Sequence, residues 1–168
     1  LACGEPPARA GYTPSVFAEL PRLLERSGNS ENGSITAFYT VLVAGDDMNE
    51  PVADEVRSIL DGHIVLSREM AARGHYPAIH VLESVSRVMR AVGDPRHVLA
   101  ANRMREALAI YEKSRDLILL GAYERGSDAR TDSAIDKIDD IEAFLKQGTA
   151  EEAGFGDTQT RLLALFGE

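Results

Sequence analysis

The apolar positions of this chain fall into two regimes. In the first, Val16, Phe17, Leu20, Leu23 and Leu24 recur at helical spacing behind Thr13-Pro14, a pair suited to the N-cap and first position of a helix. Pro21 lies inside this pattern and predicts a kink or a restart. SGNSENGS (27–34) is polar and rich in turn formers, which predicts a loop. Ile35 to Val43 (ITAFYTVLV) is a nearly continuous apolar, β-branched run, the pattern of a strand buried on both faces of a parallel sheet. A loop, AGDDMNEP, follows. Pro51 to Leu60 predicts a helix with Val52, Val56, Ile59 and Leu60 on one face, and HIVLS (63–67) a second short strand. This alternation of helix and strand predicts an open α/β sheet.

The second regime begins after Gly93. Asp94-Pro95 opens a long helical stretch in which Ala101, Met104, Leu108 and Tyr111 share a face. GAYERGSDARTD (121–132) breaks it. Ile135, Ile138, Ile141 and Leu145 mark another helix, and Leu162, Leu163 and Phe166 a last one. No strand pattern occurs beyond residue 93. The expected organisation is the C-terminal part of an α/β domain over residues 1–93, followed by a helical domain over 94–168. No internal repeat or low-complexity tract is visible.

Composition narrows the partners. With 44% hydrophobic residues in 168, the chain can bury a core. Its net charge of −9 argues against a nucleic-acid backbone or an anionic membrane as the main partner. No apolar run approaches the ~20 residues of a membrane span, and no basic-then-apolar leader opens the sequence. The lone cysteine, Cys3, excludes an internal disulfide and fits a reducing cytosol. The start at Leu1, running directly into GEPPARAGY, reads as the interior of a longer protein.

Self-contained chemistry is hard to find. A phosphate-binding loop needs Gly-x4-Gly-Lys-Ser/Thr so that backbone N–H groups and a lysine surround the phosphates. The three lysines, Lys113, Lys137 and Lys146, all follow residues other than glycine. His63, His75, His80 and His97 lack zinc spacing, so no metal site is expected. No Gly-x-Ser-x-Gly elbow is present. The acids Asp132, Asp136, Asp139, Asp140 and Glu142 lack the glycine of a calcium loop and read as a solvated helix face.

Three long blocks carry a resemblance. GEPPARAGYTPSVFAELPRLLERSG (4–28), GSITAFYTVLVAGDDMNEPVADEVRSILDGHIVLSR (33–68) and GHYPAIHVLESVSRV (74–88) resemble consecutive parts of the type III secretion and flagellar export ATPases, relatives of the rotary ATP synthase subunits. The similarity continues more weakly through GAYERGSD and IEAFLKQG. It implies a RecA-like nucleotide-binding domain followed by a helical C-terminal domain. By this likeness the chain corresponds to roughly the C-terminal 40% of such an ATPase. The phosphate-binding loop, magnesium-site aspartate and catalytic glutamate would all precede Leu1. ATP and magnesium would be held mainly there, with no cofactor expected in this chain alone and no hydrolysis by it. LDGHIVLSR and SENGS favour the export ATPases over synthase subunits.

The resemblance also implies roles for particular residues. Arg87, in SVSRV, falls where the superfamily carries an arginine finger that reaches across a subunit interface to the γ-phosphate. A planar, permanently charged guanidinium suits the charge that gathers on phosphoryl oxygens. The plainer reading pairs Arg87 with a carboxylate such as Glu83. Tyr76, in YPA, falls where relatives set a side chain against adenine, and a ring followed by proline makes a rigid platform; otherwise it anchors a loop. Phe155 matches a second adenine-pocket aromatic, or else a core residue. Asp46 and Asp47 lie in a loop that faces the pore and stalk in relatives, or form a solvated turn. Where many relatives have an acid after YPAI, this chain has His80.

The implied whole protein is a homomeric ring, expected to be a hexamer, in the cytoplasm at the inner-membrane base of an export apparatus. It would reach the membrane only through partners: a stalk protein, a regulator and chaperone–substrate complexes. Two alternatives stay open. One is a subunit of a rotary ion-translocating ATPase. The other is a docking module for stalk or chaperone–substrate complexes.

Overall fold

The computed structural model describes residues 4–7, 9, 11–43, 45 and 47–167. Cys3 and Asp46 lie outside the described residues. The chain divides into two compact units, Leu1–His63 and Ile64–Glu168.

In the first unit, α1 (Pro14–Leu24) begins with proline at its first position and packs against α2 (Pro51–Ile59), burying Leu24, Ala53 and Val56. Thr13 takes the extended N-cap conformation, but its Oγ1 shares a hydrogen bond with Ser15 Oγ at 2.8 Å and caps no backbone N–H. The restart expected at Pro21 does not occur. The helix continues to Leu24, because proline's φ suits a helix and only its own N–H is lost. The loop expected over 27–34 is a hairpin: β1 (Gly28–Ser30) pairs antiparallel with β2 (Gly33–Ile35), Asn29 opposite Ser34. Ser30 fixes its turn, Oγ accepting from Asn32 N–H at 3.3 Å and donating to the Gly33 carbonyl at 3.1 Å.

The buried strand expected over Ile35–Val43 is not formed. β2 ends at Ile35, residues 36–43 have no regular structure, and Phe38 and Leu42 are 88% and 90% exposed. A strand exists only by hydrogen-bonding to a neighbour, and no strand among the described residues of this unit lies beside 36–43. The second predicted strand is also short: β3 covers Gly62–His63 only.

The second unit opens with three short elements, α3 (Arg68–Ala72), β4 (Val85–Ser86) and α4 (Met89–Val92). Three longer helices follow: α5 (Pro95–Leu119), α6 (Ala129–Leu145) and α7 (Phe155–Phe166). Asp94 caps α5 through the N–H groups of Arg96 and His97, and Asp128 caps α6 through Arg130 N–H. These donors hold both carboxylates below the usual range, with the Thr131 hydroxyl the largest influence on Asp128. The end of α5 is set by Gly121. At φ 67° it turns left-handed, so its N–H reaches the Ile118 carbonyl and that of Ala122 the Leu117 carbonyl.

The core of this unit joins Ala100 and Met104 of α5, Ile141 of α6, and Leu162 and Phe166 of α7. Val81, from the segment before β4, packs against it, which ties residues outside the three long helices to their shared interior. Each of the larger of these side chains, removed from water, contributes about 1.5–3 kcal/mol. Among the described residues no helix is long and apolar enough to cross a membrane.

Candidate functional site

The residues singled out in the sequence mostly lie in the second unit, on the segment between α3 and α4 and at the start of α7. Ser67 Oγ caps α3 by accepting Met70 N–H at 3.2 Å. Gly74, at φ 71°, then reverses the chain, a conformation that a Cβ would strain. The returning segment folds against 65–67: Ser67 N–H donates to the Ala78 carbonyl at 2.9 Å and His80 N–H to the Val65 carbonyl at 2.8 Å. Ser84 closes the arrangement, its Oγ donating to the His80 carbonyl at 2.8 Å and accepting Val65 N–H at 3.0 Å.

Tyr76 sits at the bend, joined to Pro77 by a cis peptide bond. Its carbonyl accepts Gln147 N–H at 2.8 Å, while its ring is 55% exposed. The backbone at Tyr76 is thus held while much of its side chain stands in solvent. The neighbouring His75 is only 8% exposed. Burial, reinforced by the Lys146 charge, holds its imidazole below the ordinary value, against the opposing pull of Glu142. Glu142 is itself lowered by the hydrogen bond from Lys146 at 2.8 Å.

Phe155 is the first residue of α7 and is 74% exposed, its ring tilted against His97 with centroids 5.8 Å apart. The core reading of Phe155 therefore fails. The loop that leads to it starts at Gln147, the residue that holds Tyr76. Arg87 is exposed between β4 and α4, where Ser86 Oγ accepts Met89 N–H at 3.2 Å to start the short helix. His80 has a definite place: its Nδ1 accepts Glu83 N–H at 3.3 Å and so supports the turn before Ser84. Asp47, in the first unit, is exposed and caps its own turn, accepting Asn49 N–H at 3.0 Å.

One residue was missed in the sequence. Arg105, on α5, donates from Nη1 to the carbonyls of Val81 and Ser84, and from Nη2 to that of Leu82 at 3.0 Å. In the sequence it is one arginine among the polar positions of a long helix. Its partners lie more than twenty residues away, so no local signal points to them.

Tyr76, Phe155 and Arg87 are all exposed. No group of three or more His, Cys, Asp or Glu gathers as metal ligands among the described residues.

Comparison with known proteins bears on the rotary alternative. Residues 1–86 match the nucleotide-binding domain of the ATP synthase alpha/beta family. Both rotary synthases and export ATPases would satisfy that match. Residues 93–164 match the C-terminal domain of type III secretion ATPases of the EscN type. The chain belongs to the type III secretion and flagellar export ATPases. It is 58% identical to the flagellum-specific ATP synthase of Bacillus subtilis over 99% of its own length and 38% of that protein's. It thus spans well under half of the curated relatives it matches. Its fold follows that of the assembled type III secretion ATPase EscN from enteropathogenic E. coli, with a TM-score of 0.95 and 45% identity over 98% of this chain and 40% of that one. EscN in complex with its central stalk EscO matches at a TM-score of 0.88 and 44% identity, covering 99% of this chain and 39% of that one. The architecture of this chain is accordingly the C-terminal part of a RecA-like nucleotide-binding domain followed by a helical C-terminal domain.

Proposed function

We propose that this chain is part of an ATPase that drives protein export through a type III secretion or flagellar apparatus, working as a homomeric ring. The observation that carries the reading is the match of residues 93–164 to the secretion-ATPase C-terminal domain, because that segment separates export ATPases from rotary synthases. Residues 1–93 belong to the nucleotide-binding domain in this reading, and 94–168 form the helical domain. ATP is hydrolysed at subunit interfaces. Arg87 of one subunit stabilises charge on the phosphoryl group held by its neighbour. Tyr76 and Phe155 receive the adenine, which is supported by the exposure of both rings on backbone fixed by Gln147 and by α7. ATP and magnesium are held mainly by parts of the ring outside this chain.

The ring works in the cytoplasm at the inner-membrane base of the apparatus. Asp46 and Asp47 face a central stalk, by likeness to EscN with its stalk EscO. A regulator and chaperone–substrate complexes complete the partner set. The test is deletion and replacement in the organism that encodes the full-length protein. Loss of secreted or flagellar substrates, restored by the wild-type gene, is expected together with phosphate release by the purified ring. Intact export alongside a collapsed proton-driven ATP synthesis would instead assign the chain to a rotary ATPase.

A further inference from the structure

The three carbonyls gathered by Arg105 lie at the turn that delivers Arg87. Val81 and Leu82 lie in this turn and Ser84 directly follows it, and the guanidinium donates to all three carbonyl oxygens. From Ser84 the chain reaches Arg87 in three residues, at most about 10 Å. Ser84 is also held on its other side by Val65 and the His80 carbonyl, so the anchor of this short tether has little freedom. At the other end, Arg105 follows Met104, which is buried in the interior shared by α5, α6 and α7. The guanidinium thus joins the helical domain's core to the base of the Arg87 segment.

We propose that Arg105 is a positioning residue for Arg87, coupling the placement of the helical domain to the aim of the guanidinium that acts across the ring interface. The proposal rests on the reading of Arg87 given above. Charge makes each bond to a carbonyl stronger than a neutral one. The planar fork matters as much as the charge, since two nitrogens serve three oxygens at fixed angles and a lysine offers a single nitrogen. A displacement of α5 is therefore handed to the Arg87 segment instead of being absorbed by a flexible loop.

The test uses the full-length ring with Arg105→Met, which keeps the apolar stem, and Arg105→Lys, which keeps the charge. For Arg105→Met, kcat falls about 10–100-fold with the KM for ATP little changed, because misplacement by about 1 Å costs up to ~10²-fold in rate. Arg105→Lys recovers only part of the loss. Combining Arg105→Met with Arg87→Lys adds almost nothing to the loss from Arg87→Lys alone, since the two act on one event. Ring assembly by size exclusion and folding by circular dichroism are followed throughout. If Arg105→Met fails to assemble, Arg105→Lys carries the kcat and double-variant readings. Normal kcat in an Arg105 variant while Arg87→Lys is inactive overturns the proposal and leaves Arg87 standing. A rate loss that merely tracks lost rings, or a fully additive double variant, overturns it too. Normal turnover by Arg87→Lys overturns the reading beneath it.

Discussion

Replacing Ile141 by alanine is the sharpest probe of the helical domain. Among the described residues Ile141 is the largest side chain with no exposure at all, and it packs with Ala100 and Met104 of α5 and Leu162 and Phe166 of α7. It stands on α6 against two other helices, and α5 and α6 are tied at their starts by aspartate caps, so the site has little room to collapse. Truncation then costs the lost transfer energy and the energy of the cavity, about 2–5 kcal/mol for an isoleucine, with a value in the upper half expected here. Ile141→Val removes one methylene and costs about 0.5–1.5 kcal/mol. Against a typical domain stability of about 5–15 kcal/mol, the alanine variant is close to the limit of folding. The assay is equilibrium urea unfolding of the chain, followed by far-ultraviolet circular dichroism. With slopes of about 1–3 kcal/mol per molar, the alanine midpoint falls by one molar or more at an unchanged slope. A midpoint for Ile141→Ala indistinguishable from that of Ile141→Val would refute the packing described for α5, α6 and α7.

The remaining predictions concern titration, nucleotide and surface. The buried His75 imidazole has a folded pKa below its ordinary 6.5, so the unfolded chain takes up the proton first as pH falls. Stability is complete above about 6.5 and declines below it; Glu142, also lowered, adds its loss only further into acid. A melting-temperature series from neutral to acid pH checks this, and His75→Gln flattens the upper part of the decline. In the full-length ring, Tyr76→Ala raises the KM for ATP roughly 5–150-fold, from a stacking contribution of about 1–3 kcal/mol, whereas Tyr76→Phe keeps the ring and the affinity. Equal KM values for the alanine variant and wild type would remove Tyr76 from the base site. For the chain on its own, Phe38→Lys with Leu42→Glu lowers self-association at high concentration, measured by light scattering, because both side chains stand in solvent.

What the sequence disclosed depended on how local the governing physics is. Helix α5 was legible because an aspartate before a periodic apolar face marks where a helix begins, whereas α6 was legible from its apolar spacing alone, its start at Ala129 lying inside the stretch read as a break. Ile35–Val43 was misread because a strand is a property of two segments, and periodicity reports only one. The hairpin over 28–35 was missed in the opposite way, its glycines and asparagine being equally good loop formers. At the candidate site, Tyr76 and Arg87 were reached by resemblance to a family, and their exposure agrees with a role toward something outside the chain. Arg105 was invisible to both routes, since its meaning lies in three carbonyls brought to it by the fold.

The central claim is that Arg87 acts across an interface between copies in a ring, and mixed rings test it most directly. Purified full-length protein carrying Arg87→Lys is combined with protein lacking the phosphate-loop lysine, and phosphate release is measured against each alone. Each variant by itself loses most turnover, with Arg87→Lys down by about 10³–10⁵-fold and nucleotide binding nearly intact, because lysine keeps the charge but not the fork that holds two oxygens. On mixing, some interfaces pair an intact loop with an intact arginine, and turnover rises well above the sum of the separate rates. Near-normal turnover by Arg87→Lys rings, or mixed rings that regain nothing, would contradict the account.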